Sequence, residues 1–293
     1  MKLDLLRERA RIVSGIRRFF DEQGFVEVET PVRIPAPAPE EHIDCPPVVG
    51  GGYLRASPEL QMKKLLADGM DRIYQIGPCF REGEKGSRHN PEFTMIEWYR
   101  KNATYLDIKT DLENMLVAFG TIEQSNNPNN RTILVRDAYR EYAGWDPWDE
   151  WDQDRFDFDM ATKIEPAIKS IGGGVFLMDY PPQAASLAKI SKTEGLETGD
   201  ESRKYAERWE FYWDGMELAN CFTELCDKDE QLKRFEAAKE SRKLLKESDY
   251  PIDCGFIDSL PQMGSAAGVA LGIDRLVMVL TKTKEISAVR AHI

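Results

Sequence analysis

Histidine is nearly missing from this chain: only His42, His89 and His292 occur among 293 residues. None stands at a zinc-ligand spacing from a cysteine, so a Cys/His metal site is not expected. The cysteines are five in number and have no framework spacing. Cys45 and Cys79 stand alone, Cys221 and Cys226 are too far apart for a CxxC pair, and Cys254 has no neighbour. That excludes a disulfide-stapled scaffold and suits a reducing, cytoplasmic compartment. No stretch approaches the roughly 20 apolar residues of a membrane span. The opening MKLDLLRERARIVSGIRRFF interrupts its apolar residues with charge, so it does not read as a signal peptide. A basic excess is also missing. Lys and Arg number 39 against 51 Asp and Glu, a formal net charge of -12. Wide nucleic-acid surfaces depend on neutralising phosphate, so extensive nucleic-acid binding is disfavoured. The local basic pairs Arg17–Arg18, Lys63–Lys64 and Lys282–Lys284 read as solvated helix faces.

What remains is a globular composition, with 42% hydrophobic and 31% charged residues. Leu5, Leu6, Val13, Ile16, Phe19 and Phe20 recur at near-helical spacing, and Gly24 stops that helix. A short strand at Phe25–Val28 leads into Pro31 and a proline-rich extended loop over 31–47. Tyr53–Arg55 reads as a strand. Ser57-Pro58 then opens a helix running to about Asp68. Two strand-like runs, Arg72–Phe80 and Phe93–Arg100, flank the polar loop REGEKGSRHNPE. A long polar loop of this kind more often carries function than packing. Residues 105–119 form an amphipathic helix, and 121–170 read as mixed loops and helices that need not be a separate domain. Val175–Tyr180 is a strand. Glu210–Trp213 and Met216–Ala219 are strands joined by the hairpin signal Asp214-Gly215. A charged helix over 227–247 and a glycine-rich strand feeding an apolar helix close the chain. Local hairpins among helices predict an α+β fold, a mainly antiparallel sheet flanked by helices. The whole of 1–293 is expected to be a single domain.

A two-residue turn at Asp214-Gly215 pairs Trp213 with Met216 and Tyr212 with Glu217. Glu210 then shares a face with Glu217, diagonally and at roughly 7 Å between backbones. Two carboxylates so placed are either exposed to water or share a cation such as Mg²⁺, which takes oxygen ligands and holds phosphates. Glu224 lies at an odd offset from Glu217, so an unbroken strand would turn it to the other face. Either a bulge lies near Asn220-Cys221 or Glu224 serves elsewhere. In the second hairpin Phe93, Met95, Glu97 and Tyr99 share one face, and Thr94, Ile96 and Trp98 the other. Both faces carry apolar residues, so both are covered. A glutamate there needs a cationic partner, whether a ligand ammonium or a structural lysine or arginine. Arg81, Arg88, His89 and Asn90 make a donor-rich group suited to an anion such as phosphate. Gly268 and Gly272 let a ligand approach the backbone, and Arg275, on an apolar helix, suits phosphate or adenine.

These residues spell out a family. FREGEKGSRHNPEFTMIEWYR resembles motif 2 of the class II aminoacyl-tRNA synthetases in its lysyl version. GVALGIDRLVMVL resembles motif 3, and FVEVETP resembles motif 1 with its proline at Pro31. MELANCFTEL resembles the glutamate-bearing strand between motifs 2 and 3. The match runs in order from about residue 5 to 290. Within the family it is most similar to the freestanding lysyl-tRNA synthetase paralogues that modify a lysine of elongation factor P. The chain begins at the first catalytic helix, so no N-terminal OB-fold anticodon domain is expected. Ser57 stands in SPELQMKKL where the synthetase usually has alanine, and Ala270 stands where it has glycine.

The resemblance implies a class II synthetase catalytic domain that uses ATP and Mg²⁺ to activate lysine or (R)-β-lysine as an adenylate. The protein acceptor would be a lysine of elongation factor P. It implies that Arg81 and Arg275 contact the ATP phosphates, with Glu217 completing the catalytic set. Glu82, Glu84, His89, Asn90, Leu218 and Gly272 would belong to the nucleotide site, and Glu210 with Glu217 would hold Mg²⁺. Glu59, Tyr99 and Glu224 would bind the substrate amino groups, with Glu97 and Asn220 beside them, while Ser57 and Ala270 adjust the pocket. Motif 1 implies a homodimer. Two departures stand out: Arg81 is followed by Glu82-Gly83-Glu84, which moves the adenine contact to Glu84, and Cys221 replaces a usual glycine. The alternatives are a truncated synthetase that charges tRNA and a catalytically silent regulatory paralogue.

Overall fold

The computed structural model describes residues 2–41, 43–119, 130–192, 204–245 and 247–291. In chain order the elements are α1 (Lys2–Glu22), β1 (Val26–Glu27), β2 (Arg33–Ile34), β3 (Tyr53–Leu54), α2 (Glu59–Ala67), β4 (Arg72–Phe80) and β5 (Glu92–Lys101). Then come α3 (Tyr105–Ala118), β6 (Asn130–Leu134), α4 (Val135–Ala138), α5 (Gln153–Asp159), α6 (Glu165–Ile171), β7 (Gly174–Tyr180), β8 (Ile190–Lys192), β9 (Lys204–Trp213) and β10 (Met216–Thr223). The chain closes with α7 (Lys228–Leu245), α8 (Cys254–Met263), β11 (Ala266–Gly272), α9 (Ile273–Leu280) and α10 (Ile286–Val289). No helix among the described residues is long and apolar enough to cross a membrane.

Two compact units result, Met1–Ala103 with Leu225–Ile293, and Thr104–Glu224. In the first, strands run in the order β1-β4-β5-β11. The β4–β5 and β5–β11 pairs are antiparallel, whereas β1 lies parallel to β4. Of the predicted stripe on α1, Ile16, Phe19 and Phe20 are buried, joined by Ile12, while Leu5, Leu6 and Val13 are partly buried. The Phe20 ring centres an aromatic cluster, 5.0 Å from Phe25 and from Tyr74 and 5.1 Å from Trp98. Gly24 ends the helix with φ at 74°, as a glycine after a helix does. Helix α2 starts after Pro58, and the Ser57 hydroxyl accepts from the Glu59 amide at 2.9 Å. A polar side chain thus satisfies one of the helix's open donors.

The second unit has strand order β10-β9-β7-β6, with β8 also paired to β9. All pairs are antiparallel except β6 with β7. At the hairpin tip Asp214 and Gly215 take φ of 48° and 72°, the left-handed pair this turn demands. Gly215 is fixed twice over, since an added Cβ would lie 2.4 Å from Lys169 Cβ. Thr104 and Asp107 cap α3: the Thr104 amide and hydroxyl reach Asp107 Oδ2 at 2.8 and 2.9 Å. Trp209, Phe176 and Phe211 fill the interior.

Each unit carries a mainly antiparallel sheet flanked by helices, the α+β class expected. The mixed segment expected over 121–170 is corrected in part. Its described part contains strand β6, whose short NRTIL run takes its strand character from parallel pairing with β7, where Asn130 meets Gly174, a distant partner that periodicity does not show. Residues 121–129 lie outside the described residues. Strand β8 and helix α8 were likewise absent from the sequence expectation.

Candidate active site

Glu97 is the centre of the first unit's site. On β5 it lies between Gln75 of β4 and Ala270 of β11. Only 1% of it is exposed. Ser57 Oγ donates to Glu97 Oε1 at 2.6 Å, and Tyr99 OH donates to Oε2 at 2.8 Å. Tyr99 shares Glu97's face, two residues on, as strand geometry requires. Burial, and next the charge of Glu59, push the Glu97 carboxyl up to about 7, although the two hydroxyls and Lys63 pull it down. Two hydroxyls bond this carboxylate, and the charge of Lys63 also favours its ionised form, so a structural lysine is among the partners that were expected.

Lys63 corrects the reading of the Lys63–Lys64 pair as a solvated face. Its side chain is 2% exposed and its ammonium lies 2.5 Å from Glu59 Oε1. The i,i+4 spacing places both on one face of α2, a helix with no exposed residue. Lys64 is also engaged, with Asp253 at 2.6 Å. Ser57 and Glu59 line a cleft together with Glu40, Ile43 and Cys45. The opposite wall is fixed by buried Arg242, which donates to the main chain of Glu40 and Ile43 and to Asp44 Oδ1 at 2.6 Å.

Gly268 has a different use from the one expected. It pairs with Tyr99, and a Cβ there would lie 2.1 Å from the Tyr99 ring. The space left by the missing side chain belongs to that ring rather than to a ligand. At Gly272 a Cβ would only touch Arg275 Cβ at 4.0 Å.

The loop residues assemble in the same unit. Arg81 lies over the Phe93 ring at 5.1 Å and reaches Glu84 at 3.5 Å. Glu82 is exposed and Glu84 partly buried. Of the two glutamates, the structure joins Glu84 to Arg81. Arg275, in the first turn of α9, meets His89 Nε2 at 2.5 Å. Burial, then the Arg275 charge, lower the His89 pKa, so its ring is neutral and can accept there. Asn90 donates to the Glu92 carbonyl at 2.5 Å and so shapes the loop. The residue before Arg275 was missed: Asp274 is 2% exposed and accepts from Arg9 at 2.5 Å, Arg290 at 2.9 Å and the Thr94 amide at 3.0 Å. Its signal was a second charge on an otherwise apolar helix.

In the second unit Tyr212 pairs with Glu217 and Trp213 with Met216, as the turn dictates. The bulge that Glu224 requires exists, but at Leu218 rather than near Asn220-Cys221: the register shifts between Glu217 and Ala219. Beyond it Asn220 pairs with Glu210 and Phe222 with Arg208, so Glu217, Asn220 and Phe222 share the face of Glu210. Glu224, bridged through its main chain to Ala188, continues that parity. Leu218 is 3% exposed and its neighbours on the other face are buried too. The bulge sits where an extra apolar residue can be absorbed by the core. Burial, and next the Glu224 charge, push the Cys221 thiol well above its ordinary range. It packs and is no nucleophile.

Glu210 has a partner that the sequence reading missed. Arg208 Nη2 lies 2.5 Å from Glu210 Oε1, and Tyr212 OH donates to Oε2 at 2.6 Å. Arg208 also donates to Asn220 Oδ1 and the Ala184 carbonyl, over the Tyr180 ring. The two glutamates still offer oxygen donors on one face, the chemistry that Mg²⁺ prefers. Among the described residues no cluster of three or more His, Cys, Asp or Glu could hold a metal. Phosphate and water would have to complete the shell of any cation there.

Comparison with known proteins decides the family. A profile described as tRNA synthetases class II (D, K and N) matches residues 2–292. The chain belongs to the class II tRNA synthetase family. Among similar members, an elongation factor P--(R)-beta-lysine ligase of Yersinia enterocolitica is 36% identical, over 98% of this chain and 94% of the relative. Enzymes of the same name from Proteus mirabilis and Photorhabdus laumondii are 35% and 36% identical, each again over 98% of this chain and 94% of the relative. Class II ligases of this kind use ATP. The family's motif 2, motif 3 and glutamate strand are the segments that supply the geometry above.

Proposed function

We propose that this class II synthetase homologue is a ligase that activates (R)-β-lysine, or lysine, with ATP and transfers it to a lysine of elongation factor P. The observation that carries this reading is the buried Glu97, held by Ser57 and Tyr99 beside Glu59. A carboxylate kept out of water by hydroxyl donors is a receptor for an ammonium group. The relatives' names supply the substrate and the acceptor.

In the first step a carboxylate oxygen of the amino acid attacks the α-phosphorus of ATP, and pyrophosphate leaves. Arg81 and Arg275 neutralise charge that develops on the phosphates, and a preorganised cation gains most where water is excluded. His89 and Asn90 hold the loop, Glu84 serves the adenine in place of Glu82, and Leu218 and Gly272 offer main chain. Mg²⁺ on Glu210 and Glu217 would neutralise phosphate charge and orient the leaving group. Asn220 and Glu224 would take the substrate's second amino group. In the second step the acceptor amine attacks the acyl carbon, AMP leaves, and the amine gives up a proton. Positioning supplies most of the acceleration in both steps.

Ala270 pairs with Glu97, and on this reading its methyl would set the space for the backbone of an α- or β-amino acid. A methylene-scale change there is worth about 1–3 kcal/mol. The whole chain would act as one catalytic domain in a cytoplasmic homodimer, and its acidic charge suits a protein acceptor better than wide tRNA contact. The test is pyrophosphate exchange with lysine and (R)-β-lysine, in wild type and Ala270→Gly, followed by transfer to elongation factor P or tRNA. Protein acylation without tRNA charging is expected. Strong tRNA charging with no protein acylation would replace this reading with that of a truncated synthetase, and absence of any exchange would leave a silent paralogue.

A further inference from the structure

The described residues of 40–45 belong to no helix or strand, so their main-chain polar groups need partners from elsewhere in the fold. Arg242 of α7 supplies several. It is 1% exposed, and its guanidinium donates to the carbonyls of Glu40 at 2.6 Å and Ile43 at 3.2 Å and to Asp44 Oδ1 at 2.6 Å. The same group donates to the Ser248 carbonyl at 3.0 Å, pairs with Glu247 at 2.9 Å and lies over the Tyr250 ring at 4.5 Å. Tyr250 repeats the hold, because its hydroxyl donates to Asp44 Oδ1 at 2.9 Å and accepts from the Cys45 amide at 2.8 Å. Only a planar fork of donors can meet so many acceptors at once; a lysine ammonium cannot.

This short segment also reaches the loop that carries Arg81. The Asp44 carbonyl accepts from the Glu82 amide at 2.8 Å, and the Arg81 amide, one residue earlier, donates to the Pro91 carbonyl at 2.9 Å. The start of the loop is thus fixed from two directions, by the β4–β5 hairpin through Pro91 and by Asp44. The hairpin is a local device, whereas Asp44 depends on a helix 198 residues further along the chain. We infer that Arg242 is a positioning residue for nucleotide binding: it holds residues 40–45 as a strap, and the strap holds Arg81 where the ATP phosphates are met. This rests on the ATP-dependent reading above, and it adds a residue outside the motif segments on which their geometry depends.

Other side chains of α7 and the turn after it make the same link. Ser241 Oγ donates to Glu41 Oε1, and the Lys239 ammonium donates to the Tyr250 carbonyl and pairs with Asp249 at 2.8 Å. Cys45, Ala56 and Tyr250 form a small buried cluster beneath the strap, with Ile43 and Tyr53 packed against it. Arg242 therefore joins three things: the end of α7, the turn at 247–250 and the strap. Its partner Asp44 keeps a side chain 37% exposed. Removing that carboxylate loosens the strap while disturbing the interior less than removal of the buried guanidinium does.

The test compares Arg242→Met, Arg242→Lys and Asp44→Ala with Phe235→Leu, each checked for folding by circular dichroism. Phe235 is a buried α7 residue whose ring packs on Phe256 at 6.0 Å, so its variant loosens the helix by another route. Hydrogen exchange of the Glu82 amide in the substrate-free chain, followed by NMR, reads the strap directly. It should quicken roughly tenfold in Arg242→Met and Asp44→Ala, less in Arg242→Lys, and keep the wild-type rate in Phe235→Leu. In pyrophosphate exchange, kcat/KM for ATP should fall roughly tenfold in the first two variants, with partial rescue by Arg242→Lys and no change in Phe235→Leu. If Arg242→Met does not fold, Asp44→Ala gives both readouts. A Glu82 amide that exchanges at the wild-type rate in Asp44→Ala overturns the inference. So does an unchanged kcat/KM for ATP once that amide has been released, and so do equal effects in Phe235→Leu. Failure of the ligase reading would look different: no pyrophosphate exchange in wild type, with the Glu82 amide still released by Asp44→Ala.

Discussion

Tyr99 lies across Gly268 so closely that a Cβ on the glycine would sit 2.1 Å from the ring. The same ring's hydroxyl holds Glu97 at 2.8 Å. Gly268→Ala must therefore push the ring away and lengthen that hydrogen bond. Overpacking of this kind costs about 1–3 kcal/mol. A lowered thermal midpoint and a KM for lysine raised at least tenfold are expected. An alanine variant with wild-type KM would show that the Tyr99 hydroxyl does not set the pocket.

The Glu97 carboxyl, pushed up to about 7 from the ordinary 4.5, gives two pH dependences of known sign. The native state holds this proton more tightly than the unfolded chain, so its contribution to stability is full below about pH 4.5. That contribution is lost as pH rises toward 7 and stays flat above. Substrate binding runs the other way, because an ammonium favours the ionised carboxylate. The KM for lysine should fall as pH rises through 7 and then level off. Glu97→Gln should flatten the stability slope, measured by urea midpoints at pH 5 and 7.5, and abolish saturable lysine dependence.

Arg208 joins Glu210, Asn220 and the Ala184 carbonyl through one guanidinium. Arg208→Met would leave Glu210 without its cation in a nearly enclosed place, a loss of about 3–5 kcal/mol. Arg208→Met combined with Glu210→Gln should recover part of that stability, although not the pyrophosphate exchange if Glu210 serves Mg²⁺. Recovery of exchange in the double variant would remove Glu210 from the metal site.

Asp274 fixes the start of α9 through Arg9, Arg290 and the Thr94 amide. Asn at this position keeps one acceptor and loses the charge. Loss of charge-assisted hydrogen bonds at a buried site costs about 1.5–3 kcal/mol. Since Arg275 follows immediately, Asp274→Asn should raise the KM for ATP several-fold while the Kd for lysine, measured by calorimetry, stays near wild type. Equal losses for both substrates would mean that the residue supports the unit as a whole.

How far the sequence revealed all this depended on distance along the chain. A two-residue turn fixes register by itself, so the Tyr212–Glu217 pairing was legible from Asp214-Gly215 alone. The position of the bulge was not, because core packing around Leu218 decides which residue is left over. The Glu59–Lys63 pair had a sequence signal in its i,i+4 spacing, but the spacing does not say which way the helix faces. Ser57 and Glu97 are 40 residues apart and Arg9 and Asp274 are 265 apart. No local pattern can join such partners, and the motif resemblance brought Ser57 and Glu97 together only as names in one pocket.

The extra residue at Leu218 has a consequence for how this stretch can evolve. Side chains on a strand alternate, so one residue of length is half a period, and the bulge inverts everything that follows it. Between Glu217 and Asn220 the chain can exchange one residue type for another, as Cys221 illustrates nearby. It cannot gain or lose a single position there without turning Asn220, Phe222 and Glu224 away from Glu210 and presenting Cys221 and Thr223 instead. Chain length, and not residue identity, is the conserved quantity to look for in this segment.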